Sequence, residues 1–288
     1  MYRKVIVGFI DSDEGRDAVA LGRLITQATG GELILTGVFP YYPLAKFASA
    51  EGKKSLENEE LARAKELQIA ADAVGAKAEP FPSSSPARGL HDAVEELKAD
   101  LVVVGSSSRA GVGRVLAGNV ALQLLQGSPC AVAVAPKGFA RREPRLAVIG
   151  VGIDGSAEST EAAHVAVELG RAAGATVRLM TATGVGNQSA LAWGYGISNV
   201  ADLVREQFQS YLDRAADEVP DGLLETTRLL EDEAAPALRS EAEKGIDLLC
   251  LGSRGYGPIR RVLLGSESSE LIKDAPCPVL VAPRATAE

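Results

Sequence analysis

The same succession of apolar strands and helical patterns runs through this chain twice, and that internal repeat limits its fold more than any single motif does. Val5–Gly8 matches Val148–Gly152 in character, Gly30–Leu35 matches Gly174–Leu179, and Asp100–Gly105 matches Asp247–Gly252. Helical patterns intervene at Gly15–Gln27 and Glu158–Ala172, at Leu56–Val74 and Val200–Val219, and at Arg88–Lys98 and Pro236–Lys244. Strands alternating with helices build βαβ units, so each repeat is expected to be a doubly wound, Rossmann-like α/β domain around a parallel sheet. Prolines, a glycine and charges interrupt the pattern over Pro136–Pro144 and predict domains at 1–140 and 145–288.

The second repeat carries Gly252, Gly255, Gly265 and Ser266 in the spacing G-x2-G-x9-G-[ST], between the apolar run Asp247–Leu251 and a helical start at Ser268–Lys273. Glycines let backbone N–H groups approach an anion closely, and a helix start offers unpaired donors, so the spacing reads as a phosphate-binding loop. A tight turn with a helix cap is the alternative. Open parallel sheets bind ligands beyond the carboxyl ends of their strands, where strand order reverses. Asp154 stands at such an end, in the run Asp154-Gly-Ser156. A carboxylate there accepts hydrogen bonds from hydroxyl or amino groups of a ligand and repels phosphates. Capping the next helix is the competing role. Arg254, Arg260 and Arg261 bring positive charge to the loop, while Glu267 competes with phosphate for the same helix start.

Composition narrows the other possibilities. A net charge of -8 and a pI near 5.1 argue against a general nucleic-acid-binding surface. No apolar run approaches the roughly 20 residues of a membrane span, and the start Met1–Gly8 reads as a first strand, so a cytoplasmic location is expected. Three cysteines make a disulfide framework an unexpected reading; Cys130, Cys250 and Cys277 read as small buried hydrophobes, with a redox pair of Cys130 and Cys277 as the alternative. His91 and His164 lack partners at metal-ligand spacing. No G-x4-G-K-[ST] motif or Ser-His-Asp pattern supplies machinery for rapid phosphoryl or acyl transfer. The glycine-rich Thr183–Gly196, with Trp193 and Tyr195, and the matching Tyr41 and Tyr42 read as surface or partner loops, or as covers for a bound base.

The glycine loop and its tail Ala275–Pro283, Ala-Pro-Cys-Pro-Val-Leu-Val-Ala-Pro, resemble the ATP-binding members of the universal stress protein family. A second tail, Ser128–Pro136, makes the chain resemble a tandem member over nearly its whole length. The resemblance implies an adenine-nucleotide-hydrolase-like fold and a site for ATP, with Mg²⁺, in the second half. That site takes Asp154 at the nucleoside, with Ala182, Gly252, Arg254, Gly255, Gly265, Ser266 and Glu267. It also implies a homodimer, an unidentified protein partner and a nucleotide-dependent stress regulator without rapid catalysis; a slow ATPase and a nucleotide-free scaffold are the alternatives. The final strands Ala131–Ala135 and Val279–Ala282 are expected to meet across a pseudo-twofold axis, which hides both edges.

The first half departs from the pattern. Ile10 stands where the second half has Asp154, Ser108 where it has Gly255, and Asn119 where it has Ser266. If position 108 needs a positive φ, serine there costs about 1 kcal/mol. The first half therefore reads as a weakened nucleotide site, and one ATP per chain is expected.

Overall fold

A computed structural model describes residues 1–40, 49–184, 198–253, 262 and 265–283. The first half runs β1 (Lys4–Gly8), α1 (Asp13–Thr29), β2 (Glu32–Pro40), α2 (Ala50–Val74), β3 (Lys77–Ser83), α3 (Pro86–Leu97), β4 (Leu101–Gly105), α4 (Asn119–Leu124) and β5 (Ala131–Ala135). After a short 3₁₀ turn at Phe139–Arg141 the second half repeats that order. Its elements are β6 (Val148–Gly152), α5 (Ala157–Ala173), β7 (Thr176–Ala182), α6 (Ser198–Asp217), β8 (Leu224–Leu230), α7 (Ala234–Ala242), β9 (Leu248–Gly252), α8 (Ser266–Leu271) and β10 (Val279–Ala282).

Local chemistry sets the helix limits. Ser12 and Ser156 cap α1 and α5, each hydroxyl accepting from the N–H three residues on at 3.1 Å. Both helices stop at a glycine with φ of 68°, Gly30 and Gly174, a left-handed conformation that glycine takes without strain.

The ten strands among the described residues join one sheet in the order β3-β2-β1-β4-β5-β10-β9-β6-β7-β8. Pairing within each half is parallel, and β5 meets β10 antiparallel with Val134 opposite Val279, Ala133 opposite Leu280 and Val132 opposite Val281. The expected meeting of the final strands is thus observed, and a pseudo-twofold axis passes between Ala133 and Leu280. Central strands alternate between two buried layers: Val5 and Val7 face one with α1 and α5, while Ile6 faces the other with α3 and α7. Asp100 and Asp247 repeat one clamp; each carboxylate accepts from two backbone N–H groups at the start of β1 or β6, at 2.7 to 3.1 Å.

The outer strands β3 and β8 were not evident from periodicity. Lys77–Ser83 reads KAEPFPS, and its two prolines are tolerated because β3 is an edge strand paired with β2 alone.

Among the described residues no helix is long and apolar enough to cross a membrane. All three cysteines are free and buried. Burial pushes the Cys130 and Cys277 thiols up to about 12 and raises that of Cys250 as well. The thiolate is the reactive form, so Ellman's reagent is expected to label none of the three in the native protein and all three in denaturant. Native labelling at Cys130 or Cys277 would restore the redox alternative.

Candidate functional site

Strand order reverses between β1 and β4 in the first half and between β6 and β9 in the second, and a crevice opens at the carboxyl ends of these strands. In the second half β7 ends on Ala182, β9 ends on Gly252, and Asp154 follows the end of β6. These three line one cavity of about 130 Å³ together with Glu158, Ser253 and Glu267. Gly265 is the residue before α8, with φ of -73°, and Glu267 lies exposed in the first turn of that helix. Arg254, Gly255, Arg260, Arg261, the side chain of Ser266, and the aromatics Tyr41, Tyr42, Trp193 and Tyr195 lie outside the described residues.

Asp154 does not cap α5. Its Oδ1 accepts from the Ser156 N–H at 3.0 Å and from the Ser156 hydroxyl, and Ser156 is the cap. The carboxylate thus sits exposed at the crevice, held in a tight turn. Gly155 completes that turn at φ of 79°, and a Cβ there would fall 2.6 Å from the ring of Tyr211 on α6. Tyr211 is a residue that local sequence reasoning missed, because its partner lies on a distant element. The Arg214 guanidinium lies 5.2 Å from its ring centre.

The strand-end glycines answer a packing demand in both halves. A Cβ on Gly252 would lie 2.5 Å from the Glu158 carbonyl, and one on Gly105 would lie 2.2 Å from the Glu14 carbonyl oxygen. Such approaches let the helix start close on the strand end. The feared cost at Ser108 does not arise, because Lys98 is the one non-glycine residue with positive φ among those described. The positive φ of the first loop falls on Gly113 instead, at 81°.

Electrostatics and volume pull against the motif. The described lining of the second-half cavity holds three carboxylates, on Asp154, Glu158 and Glu267, and no cation. The corresponding first-half cavity is larger, about 560 Å³, although its motif is the weaker. Arg254, Gly255, Arg260 and Arg261, which belong to the second loop, lie outside the described residues that line the smaller cavity. Ser253 adds a hydroxyl that is buried without a hydrogen-bond partner, a donor that the glycine spacing did not single out.

Each glycine loop is also tied to the opposite half. The Val115 N–H donates to the Ala275 carbonyl at 2.8 Å, and the Val262 N–H donates to the Ser128 carbonyl at 2.8 Å. Arg114 adds an ion pair with Glu243 at 2.6 Å. His91 and His164 face Glu95 and Glu218, and no cluster of metal-ligating side chains occurs among the described residues.

Comparison with known proteins gives a consistent result. A family profile described as the universal stress protein family matches residues 1–136 and 147–283. A curated universal stress protein of Mycobacterium tuberculosis is 26% identical over 97% of this chain and 99% of its own length. Another, from Mycolicibacterium smegmatis, is 31% identical over 68% of this chain and 65% of its own length. Among solved structures, a universal stress protein from Archaeoglobus fulgidus superposes with a TM-score of 0.67 at 18% identity, covering 99% of this chain and 100% of that one. That likeness is one of fold.

Proposed function

The chain belongs to the universal stress protein family, and from that premise we propose that its second half binds one adenine nucleotide, ATP with Mg²⁺, as a regulatory ligand. The observation that carries this reading is the convergence of Asp154, Ala182, Gly252 and Glu267 on one cavity at the strand-order reversal. Asp154 accepts hydrogen bonds from the nucleoside. Gly252, Gly255, Gly265, Ser266 and Ser253 surround the phosphates, with Arg254 as counter-charge. Asp154 and Glu267 in the described lining repel a bare triphosphate, so Mg²⁺ enters with the nucleotide. Mg²⁺ keeps several waters and needs one or two carboxylates beside phosphate oxygens, a requirement that Glu158 or Glu267 meets. The ion supplies charge neutralisation. Occupancy of this site then shifts the chain's preference for a protein partner, in the cytoplasm, without rapid hydrolysis.

Calorimetric titration with Mg-ATP is expected to give one site per chain. Asp154→Ala removes a charge-assisted hydrogen bond of about 1.5 to 3 kcal/mol, which lowers affinity about ten- to a hundred-fold. Gly255→Val is expected to weaken binding strongly as well. Two sites per chain, or unchanged affinity in both variants, contradicts the assignment.

We also propose a homodimer of the full chain. Since β5 and β10 already satisfy each other's edges, such a dimer meets through another face. Sedimentation showing only monomer at high concentration rejects it.

A further inference from the structure

The first-half cavity is not a smaller copy of the nucleotide site. At about 560 Å³ it falls in the size range of small-molecule pockets. Around the crevice mouth, four of its lining positions differ from their second-half counterparts in one direction. Ile10 replaces Asp154, Gly15 replaces Ser159, Val120 replaces Glu267 and Ala121 replaces Ser268, so each polar or charged side chain gives way to an aliphatic or absent one. The charge follows. Among the described residues Glu14 and Arg109 are the two charged members of the lining, and they cancel.

Three further observations point to an occupant. Ile10 is 68% exposed at the cavity, an aliphatic side chain that water surrounds until something covers it. Val38, Leu90 and Val104 form an apolar wall from β2, α3 and β4. Thr36, wholly buried in that lining, has a hydroxyl with no hydrogen-bond partner, where the second half places the apolar Met180. A buried polar atom without a partner is costly and calls for one.

We propose that the first half is a second, chemically distinct ligand site, which takes a small, uncharged, largely apolar molecule carrying a hydrogen-bonding group that Thr36 or Asn119 can meet. The site is selective against nucleotides. It lacks the nucleoside acceptor, and its apolar wall offers a triphosphate nothing to offset the loss of hydration. Two cavities built on one plan thereby report on two kinds of ligand within one sheet. This reading does not depend on nucleotide binding by the second half.

The neutral fluorophore Nile red, titrated into the full-length protein, tests it. A saturable rise in fluorescence at one site per chain is expected, undiminished by saturating Mg-ATP and by Asp154→Ala. Ile10→Asp and Val120→Glu import the second-half side chains at the crevice and are each expected to weaken the probe at least about tenfold. Thr36→Met, which imports the second half's bulk, is expected to do the same by filling the cavity. Circular dichroism melts of each variant confirm that the fold is kept, and the Ile10→Asp site is exposed enough to tolerate the change. The proposal is overturned by the absence of saturable binding, by displacement of the probe with Mg-ATP, or by equal affinity in wild type, Ile10→Asp and Val120→Glu.

Discussion

Leu280→Asp is expected to abolish the folded state or to lower its stability by more than about 4 kcal/mol, the largest loss of any single change considered. Leu280 is fully buried in the layer with α1 and α5, and it faces Ala133 where the two halves meet. Its surroundings are the apolar residues of that layer, and the neighbouring backbone groups already serve the sheet, so a carboxylate there is desolvated without a partner among the described residues. Since folded domains hold only about 5 to 15 kcal/mol in total, a change of this size removes most of the margin. Leu280→Met, which keeps shape and polarity, is expected to cost less than about 1.5 kcal/mol. Urea denaturation of both variants decides the matter; a Leu280→Asp midpoint close to wild type would show that the two halves do not depend on their seam.

The second large effect is expected at Arg178. This residue on β7 has a side chain only 8% exposed, and it forms paired hydrogen bonds to the Glu225 carboxylate at 2.7 and 2.9 Å. It also donates to the buried Glu241 at 3.3 Å. Arg178 and Glu241 are buried while Glu225 is exposed, so removing the arginine strands chiefly Glu241, and breaking a fully buried pair costs about 3 to 5 kcal/mol. Glu241 keeps Lys244 at 2.7 Å, so Arg178→Met is expected at the lower end, about 3 kcal/mol. Adding Glu241→Gln should recover part of that loss, because the buried carboxylate is then gone. A single-variant cost below about 1 kcal/mol would show that water reaches the group.

The same cluster gives a pH dependence. The hydrogen bond from Arg178 holds the Glu225 carboxyl below its ordinary range. A depressed folded-state value means that the stabilisation is fully present above the unfolded value, about 4.3, and is lost as pH falls through the folded one. Arg178→Met is therefore expected to flatten the acid limb of the stability profile. A profile parallel to wild type below pH 5 would contradict the linkage.

Much of this architecture was legible because central strands of a parallel sheet are buried on both faces and announce themselves as apolar runs. Val5–Gly8 and Asp100–Gly105 were evident on that ground, whereas the caps at Ser12 and Ser156 were not, since Asp154 stood as the cap candidate for the second half. The outer strands β3 and β8 were not, since an edge strand tolerates polar residues and proline. Within the candidate site, Asp154 and Gly252 could be placed from local spacing. Tyr211 against Gly155, the unpartnered Ser253 hydroxyl, and the crossed contacts of Val115 and Val262 depend on which distant elements meet, and no local pattern encodes that. The relative room of the two cavities was equally hidden, because it follows from opposed pairs such as Thr36 and Met180 that are unremarkable as strand residues.

The opposition of Ala133 and Leu280 carries an evolutionary reading. In a dimer of identical single-domain subunits, the residue on the twofold axis must meet its own copy, so any change in size is doubled at once. Two alanines leave a void and two leucines crowd. Fusion of the copies into one polypeptide lifts that restriction and allows a large residue to be matched with a small one. Each half is therefore expected to be a better mate for the other than for itself, so separately expressed halves should prefer the mixed assembly over either self-assembly. Duplication followed by fusion would then have done more than double a site: it broke the symmetry of the joint and left the two copies free to diverge without drifting apart.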